Sequence, residues 1–438
     1  MSKLPQERTE STFKDFKKPY DKKQALAEAN RCLYCYDAPC ITACPTSIDI
    51  PKFIRRIAND NTKGAARTIF DSNIMGMSCA RVCPVEVLCV GSCVYNTAEI
   101  PPIQIGKLQR YATDAAFEEG WQFYEPGADT GKKVALIGGG PASLAAAHRL
   151  RRYGHQVTIF ERAEYLGGLN TSGVAPYKMK ADRALEEVEW LLSIGGVELR
   201  TGVEIPKDVS WSELRRDFDA LFLGFGLGRD RYMDLENADA QGIYGAVEFI
   251  EKMKVGLVDV SKVQNAVVVG GGNTAIDAVR ELVGIGIPSV TMLYRGDEAS
   301  KSGYEHEWLE AKKENVSAAW RMQPVGFVAS NGQVTGITCR QMDENKKEIP
   351  GSEVDIATNL VLLAIGQEKQ GDLVASLPGI EIDYGKIVVS KDGATGCAGV
   401  YAGGDCINGG KEVVNAVADG DVAAHAIHNF MSGGQNNG

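Results

Sequence analysis

Two short apolar runs in this chain end in the same glycine punctuation. Val134-Ala-Leu-Ile-Gly138-Gly-Gly140-Pro-Ala-Ser143 and Ala266-Val-Val-Val-Gly270-Gly-Gly272-Asn-Thr-Ala275 stand 132 residues apart. A strand that runs into Gly-x-Gly-x-x-small and then a helix turns its backbone N–H groups and a helix N-terminus toward a pyrophosphate. The first Gly makes the tight turn, the second lets the phosphate approach, and the third small residue lets helix and strand pack. Two copies imply an internal duplication of a nucleotide-binding fold. Runs of the same near-continuous apolar texture recur at Val157–Phe160, Ala220–Leu223, Val290–Leu293, Leu360–Ile365 and Gly399–Tyr401. Such runs suit parallel strands covered on both faces.

The strands that follow the two loops end in opposite charges. Glu161 closes Val157-Thr-Ile-Phe 23 residues after Gly138, where a carboxylate accepts hydrogen bonds from a ribose diol. Arg295 closes Val290-Thr-Met-Leu-Tyr 25 residues after Gly270, where a guanidinium can pair with a 2′-phosphate. The second site therefore tolerates or prefers NADP, although Asp297 and Glu298 follow closely. Lys301 is placed to reach back from the loop.

Two later segments point to flavin: Glu164-Tyr-Leu-Gly167-Gly168-Leu169, and Val400-Tyr-Ala-Gly403-Gly404-Asp405 with a helical stretch from Glu412. Lys133 to Phe430 resembles the flavoproteins built from two dinucleotide-binding domains. The resemblance implies FAD held by Gly138, Gly140, Pro141, Ala142, Ser143, Glu161, Gly168, Leu169, Lys178, Gly404, Asp405 and Val413. It implies NAD(P)H held by Gly270, Gly272, Asn273, Thr274, Arg295, Ala364, Ile365 and Gly366. Many of these flavoproteins carry a Cys-x-x-Cys beside the flavin. Here Cys339, Cys397 and Cys406 stand alone and read as small buried hydrophobes, so electrons need another exit.

The other eight of the eleven cysteines lie between Cys32 and Cys93, in a region without strand-like alternation. Ile50 to Asn59 and Lys63 to Asp71 carry apolar residues at helical spacing, after a helical run-in at Asp21–Arg31. The charged tail before that run-in is expected to be mobile, and Tyr124 to Lys133 reads as a linker. Cys32-x2-Cys35-x4-Cys40-x3-Cys44-Pro is close to the ferredoxin run, and Cys79, Cys83, Cys89 and Cys93 supply further thiolates. Zinc is the alternative, but four-Cys zinc sites pair two knuckles across a longer loop; the spacing favours two [4Fe–4S] clusters held by eight thiolates.

Arg31 to Gln109, with Cys-Leu-Tyr-Cys-Tyr-Asp-Ala-Pro-Cys, Ser-Cys-Ala-Arg-Val-Cys-Pro and Ile-Gly-Lys-Leu-Gln, resembles the N-terminal domain of dihydropyrimidine dehydrogenases. The resemblance implies one cluster on Cys32, Cys35, Cys40 and Cys93, and a second on Cys44, Cys83, Cys89 and Gln109. Cys79 is then a neighbouring non-ligand. The expected fold is α/β: a helical iron–sulfur domain (1–127) followed by two Rossmann-like domains. The NAD(P) domain (237–366) is inserted between the two parts of the FAD domain (128–236 and 367–438).

The resemblance further implies an electron-transfer subunit whose partner carries FMN and the pyrimidine site. The runner-up is the small subunit of glutamate synthase, and a third reading is an iron–sulfur sensor or assembly module. Lys52, Arg55, Arg56, Lys63 and Arg67 form a candidate docking rim. A net charge of −10 argues against nucleic acid, no apolar run is long enough for a membrane span, and the polar start is no secretory signal. A cytoplasmic protein is expected.

Overall fold

The computed structural model describes residues 4–433; positions 1–3 and 434–438, at the outer ends of the first and last expected segments, lie outside the described residues. Before Lys133 the described residues form helices only, chiefly Lys22–Ala29, Ile50–Ala58, Thr62–Ser72, Gly76–Val82 and Ile105–Glu118. Local chemistry starts three of them. Asp21 and Gln24 make a capping box, Asp49 accepts from the Lys52 N–H, and Asn61 accepts from the Gly64 N–H. The apolar stripes Phe53, Ile54, Ile57 and Ala65, Ile69, Phe70 are buried inward.

This small domain does not rely on its cysteines alone. Its core is continuous with that of the neighbouring flavoprotein half, joining Ile54, Phe70 and Leu108 to Val134, Leu136 and Ile159. The joint is aromatic: Trp190, on helix Ala181–Leu192, lies with its ring centroid 4.5 Å from Phe70 and 5.3 Å from Phe117.

The remaining chain forms two parallel sheets and two smaller antiparallel pieces. The first four strands are β1 (Lys133–Ile137), β2 (Gln156–Glu161), β3 (Val197–Thr201) and β4 (Ala220–Leu223). Next come β5 (Ile243–Gly245), β6 (Asn265–Val269), β7 (Ser289–Tyr294), β8 (Ser317–Trp320), β9 (Met322–Ser330), β10 (Gln333–Gln341), β11 (Val354–Ala357) and β12 (Leu360–Leu363). Last are β13 (Ile382–Asp383), β14 (Lys386–Ile387) and β15 (Val400–Ala402). One sheet runs β15-β4-β1-β2-β3 and the other β5-β12-β6-β7-β8, so each glycine-loop strand is central. All the expected strands are present. The antiparallel sheet β9–β11 and the hairpin β13–β14 carry no continuous apolar run and were not anticipated. The chain leaves the first sheet along 228–231 and returns along 366–368. These crossings pair with one another, the Gly228 N–H donating to the Glu368 carbonyl (2.8 Å) and Arg231 to Gly366 (2.9 Å).

The start of the chain corrects the expectation of mobility. It straps three parts of the molecule together. The Thr9 N–H donates to the Gly256 carbonyl (2.9 Å), Glu10 accepts from the Ala181 N–H (3.0 Å), and Arg110 pairs with Asp15 (2.5 Å). Phe13 is buried against Gly284, where any side chain would clash with its ring. Arg8, charged yet 7 % exposed, is neutralised by Glu10 and Asp182.

Candidate functional site

At the first glycine loop, Gly138 has φ +97°, and a Cβ there would lie 2.6 Å from the Gly224 carbonyl, so only glycine fits. Gly140 precedes helix Pro141–Arg152 without a side-chain cap, and space beside it is open, the nearest heavy atom to a Cβ being 3.9 Å away. Ser143 Oγ is buried without a partner among the described residues. Glu161 accepts from the Gly139 N–H (2.6 Å) and the Ala163 N–H (2.8 Å), which fixes its carboxylate at the mouth of the loop.

Gly168 has φ +52°, and a Cβ there would lie 3.1 Å from Gly140 Cα; Leu169 starts the short helix Leu169–Ser172. Gly404 packs against Ala142, and Asp405 opens helix Asp405–Asn408, accepting from the Lys411 N–H (3.1 Å). Burial pushes the Asp405 carboxyl above its ordinary range. Val413 is the first residue of helix Val413–Met431, whose N-cap Glu412 makes no side-chain cap bond. An open glycine backbone, uncapped helix starts and an orphaned buried hydroxyl fit a dinucleotide. Lys178 differs: its ammonium is held by Asp277 (2.8 Å) and Glu307 (2.7 Å) from the inserted domain.

At the second loop, Gly270 has φ +147° and packs on the Ala364 carbonyl. Gly272 leads into helix Asn273–Gly284 with no side-chain cap, Asn273 Oδ1 accepts from the Tyr304 N–H (2.8 Å), and Thr274 is exposed in the first turn. Ile365 is partly exposed, Gly366 carries φ +100° in the returning crossing, and Arg295 is exposed at the end of β7. Lys301 is not free to reach back: it pairs with Glu305 and donates to the Glu298 carbonyl. The two nucleotide folds meet where Tyr304 Oη donates to Glu412 (2.9 Å), a contact without a sequence signature.

The cysteines gather in two groups. Cys32, Cys35, Cys40 and Cys93 line one cavity with Ile50, Ile54, Ile103 and Ile105. Burial pushes the Cys40 thiol up to about 12, with Cys32 and Cys93 nearby adding to the shift. In the second group burial, with Cys83 and Cys44 nearby, pushes the Cys89 thiol up, and neighbouring Cys79 together with burial pushes the Cys83 thiol up. Gln109 is buried on the adjacent helix, its amide donating to the Gly76 carbonyl (2.8 Å) at the start of the helix that bears Cys79 and Cys83. Among the described residues no His, Cys, Asp or Glu trio is arranged for a single metal ion. Two cysteine groups, one around an apolar cavity, fit clusters whose thiolates stand apart.

Sequence reasoning missed Lys17, whose ammonium donates to the Cys83 carbonyl (3.3 Å), and Glu187. Glu187 is fully buried in the flavoprotein half and accepts from the Met77 N–H (2.8 Å), the Ser78 N–H and the Ser78 hydroxyl. It thereby caps, from another domain, the helix of Cys79 and Cys83. The basic rim is partly spent inside the domain: Arg56 binds the Gly64 carbonyl and Thr68, and Arg55 lies over the Tyr34 ring.

Residues 8–121 match the family described as dihydropyrimidine dehydrogenase domain II, 4Fe-4S cluster, and residues 132–420 match pyridine nucleotide-disulphide oxidoreductase. The glutamate synthase [NADPH] small chain of Escherichia coli is 33% identical over 445 residues, covering 96% of this chain and 94% of the relative. The NAD-dependent dihydropyrimidine dehydrogenase subunit PreT of Salmonella typhimurium is 33% identical over 407 residues, covering 93% and 94%. Among solved structures, T. acidophilum thioredoxin reductase superposes with a TM-score of 0.55 at 21% identity over 69% of this chain and 99% of that one. Mycobacterium tuberculosis FprA in complex with NADPH gives 0.54 at 18%, over 69% and 85%. These two show the fold. No helix among the described residues is long and apolar enough to cross a membrane. With its two glycine loops, its flavin-type strand ends and its cysteine-rich helical domain, the chain belongs to the pyridine nucleotide-disulphide oxidoreductases and is an NAD(P)H-dependent, iron–sulfur electron-transfer oxidoreductase.

Proposed function

We propose that this chain oxidises NAD(P)H at FAD and passes the electrons through two [4Fe–4S] clusters to a separate catalytic subunit. The proposed partner is an FMN-bearing dihydropyrimidine dehydrogenase subunit that reduces uracil or thymine. Bound flavin supplies hydride acceptance and one-electron release; the chain's residues bind, orient and shield it. No protein acid or base is needed for such a transfer.

One juxtaposition carries the reading. Asn170, two residues beyond Gly168 of the proposed FAD site, donates through Nδ2 to Ser78 Oγ (2.9 Å), and Ser78 precedes Cys79 on the cysteine helix. Flavin loop and cysteine helix are thus one hydrogen bond apart, which suits direct electron transfer between cofactors held there. The relatives named as dihydropyrimidine dehydrogenase subunits support the partner. The glutamate synthase small chain, equally similar at 33% identity, favours a second reading with a glutamate-forming partner.

The test is anaerobic titration of the holoprotein. NAD(P)H is expected to bleach the flavin and then the iron–sulfur absorbance, with eight irons per chain, and to drive reduction of artificial acceptors. Pyrimidines are expected to be reduced only after the second subunit is added. Turnover of uracil by this chain alone would sink the subunit reading, and glutamate formation with the co-purified partner would select the alternative.

A further inference from the structure

The strap aims a cation at the second cysteine group. Lys17 Nζ donates to the Cys83 carbonyl (3.3 Å). The backbone around it is pinned by other bonds. The Phe16 N–H donates to the Tyr177 carbonyl (2.9 Å), the Lys17 carbonyl accepts from Arg110, and Arg110 also pairs with Asp15. Tethering the strap therefore does not account for an ammonium placed here. Burial lowers it from its ordinary range, while Glu86, Cys83 and Glu307 act to raise it and Lys178 to lower it. Yet among the described residues Lys17 makes no ion pair. Neighbouring Lys178 differs, being held by Asp277 and Glu307. A half-buried cation without a carboxylate calls for an anion. The thiol beside it responds: Lys17 favours the Cys83 thiolate, against Cys79 and burial. Cys83 also feels Glu412, the N-cap of helix Val413–Met431. Lys17 thus stands where the second cysteine group meets the flavoprotein half.

We propose that Lys17 is a positioning residue for electron transfer, whose charge raises the reduction potential of the iron–sulfur cluster bound through Cys83. The proposal rests on the reading of that cysteine group as a cluster site that receives electrons from FAD. A cluster held by thiolates is anionic and gains one further negative charge when reduced. A cation fixed beside one of its ligands stabilises the reduced form more than the oxidised form. The cluster's own charge is then the counter-ion that Lys17 lacks among the side chains. The step favoured is a transfer of one electron. NAD(P)H has supplied the pair as hydride, the flavin is oxidised by one electron, and the cluster is reduced by one. The first cysteine group, lining its cavity with Ile50, Ile54, Ile103 and Ile105, has no lysine or arginine in that lining. The strap thereby distinguishes the two groups electrostatically.

The experiment compares the parent holoprotein with Lys17→Met, Lys17→Gln and Lys17→Arg. Two quantities are read: iron per chain, and cluster potentials from an anaerobic redox titration followed by electron paramagnetic resonance. The neutral variants are expected to keep the parent's iron and to lower the potential of one cluster. The expected shift is about tenfold to hundredfold in its electron-accepting equilibrium, or roughly 60–120 mV for a one-electron couple. The other cluster should stay at its parent potential, and Lys17→Arg, which keeps the charge, should restore the first. Unchanged potentials in the neutral variants, equal shifts of both clusters, or loss of a cluster from both neutral variants would overturn the proposal. A shift of one cluster in a protein whose flavin NAD(P)H does not bleach would uphold the role of Lys17 while overturning the proposed electron-transfer function.

Discussion

Replacing Glu187 by Gln tests how the flavoprotein half holds the cysteine helix. The carboxyl is fully buried, and desolvation lifts it to about 7 from an ordinary 4.5, even though the N–H groups of Met77 and Ser78, the Ser78 hydroxyl and Arg81 all favour its charged form. Between these two values the folded chain binds a proton that the unfolded chain has released. Stability therefore falls as pH rises through that window, the reverse of a salt-bridged carboxylate. Linkage across pH 5 to 8 is worth on the order of a few kcal/mol, about tenfold to hundredfold in the local opening equilibrium. Gln is nearly isosteric, keeps an oxygen for the helix N–H groups and cannot titrate. Hydrogen exchange of segment 75–83, corrected for the intrinsic rate at each pH, is the assay. In the parent, protection should fall by about that factor relative to Glu187→Gln between pH 5 and 8. A difference between the two proteins that stays flat with pH would refute the argument. Glu187→Ala, which strands two buried N–H donors, should lose protection at every pH by about 2–4 kcal/mol.

Other outcomes follow from the same geometry. Cys79→Ser is expected to keep the full iron complement while Gln109→Ala loses part of it, measured as iron per chain; loss of a whole cluster from Cys79→Ser alone would restore the eight-thiolate assignment. Phe13→Ala should cost about 3–5 kcal/mol locally and release the strap, seen as new proteolytic cleavage between residues 8 and 17; Gly284→Val, which drives a side chain into the Phe13 ring, should do the same. Lys178→Met leaves Asp277 and Glu307 as neighbouring half-buried carboxylates without their cation, so a loss of up to about 3 kcal/mol is expected in thermal unfolding followed by flavin fluorescence.

Much of the architecture was legible because it is written in local rules. Gly138 and Gly270 occupy backbone conformations that a Cβ would obstruct, so their spacing from an apolar run marks a loop whatever the rest of the chain does. Val134–Ile137 and Ala266–Val269 are buried on both faces and so read as continuous apolar strands. Phe53, Ile54 and Ile57 mark a helix through their period alone. The eight clustered cysteines point to metal chemistry through their spacing, since short intervals let several thiolates face a common centre.

What the sequence could not disclose depends on which surfaces meet across long stretches of chain. The strap looked like a solvated tail because it is rich in charge. Only the fold supplies the Asp182, Ala181 and Gly256 partners that make burying Arg8, Thr9 and Glu10 tolerable. Glu187 sits on an amphipathic helix and gives no sign that it caps another helix 109 residues upstream. Cys79 and Gln109 both flank the second cysteine group, and spacing alone would assign the ligand to Cys79. Arg321 lies in a strand junction with no motif, yet its N–H donates to the Gly296 carbonyl and its guanidinium pairs with Asp297. Sequence by itself determined the glycine loops and the central parallel strands and named candidate cofactor residues, because backbone sterics and burial periodicity act within a few residues. The tertiary structure decided which charges are paired, capped or left available, because that depends on the low-dielectric contacts made only when distant segments pack.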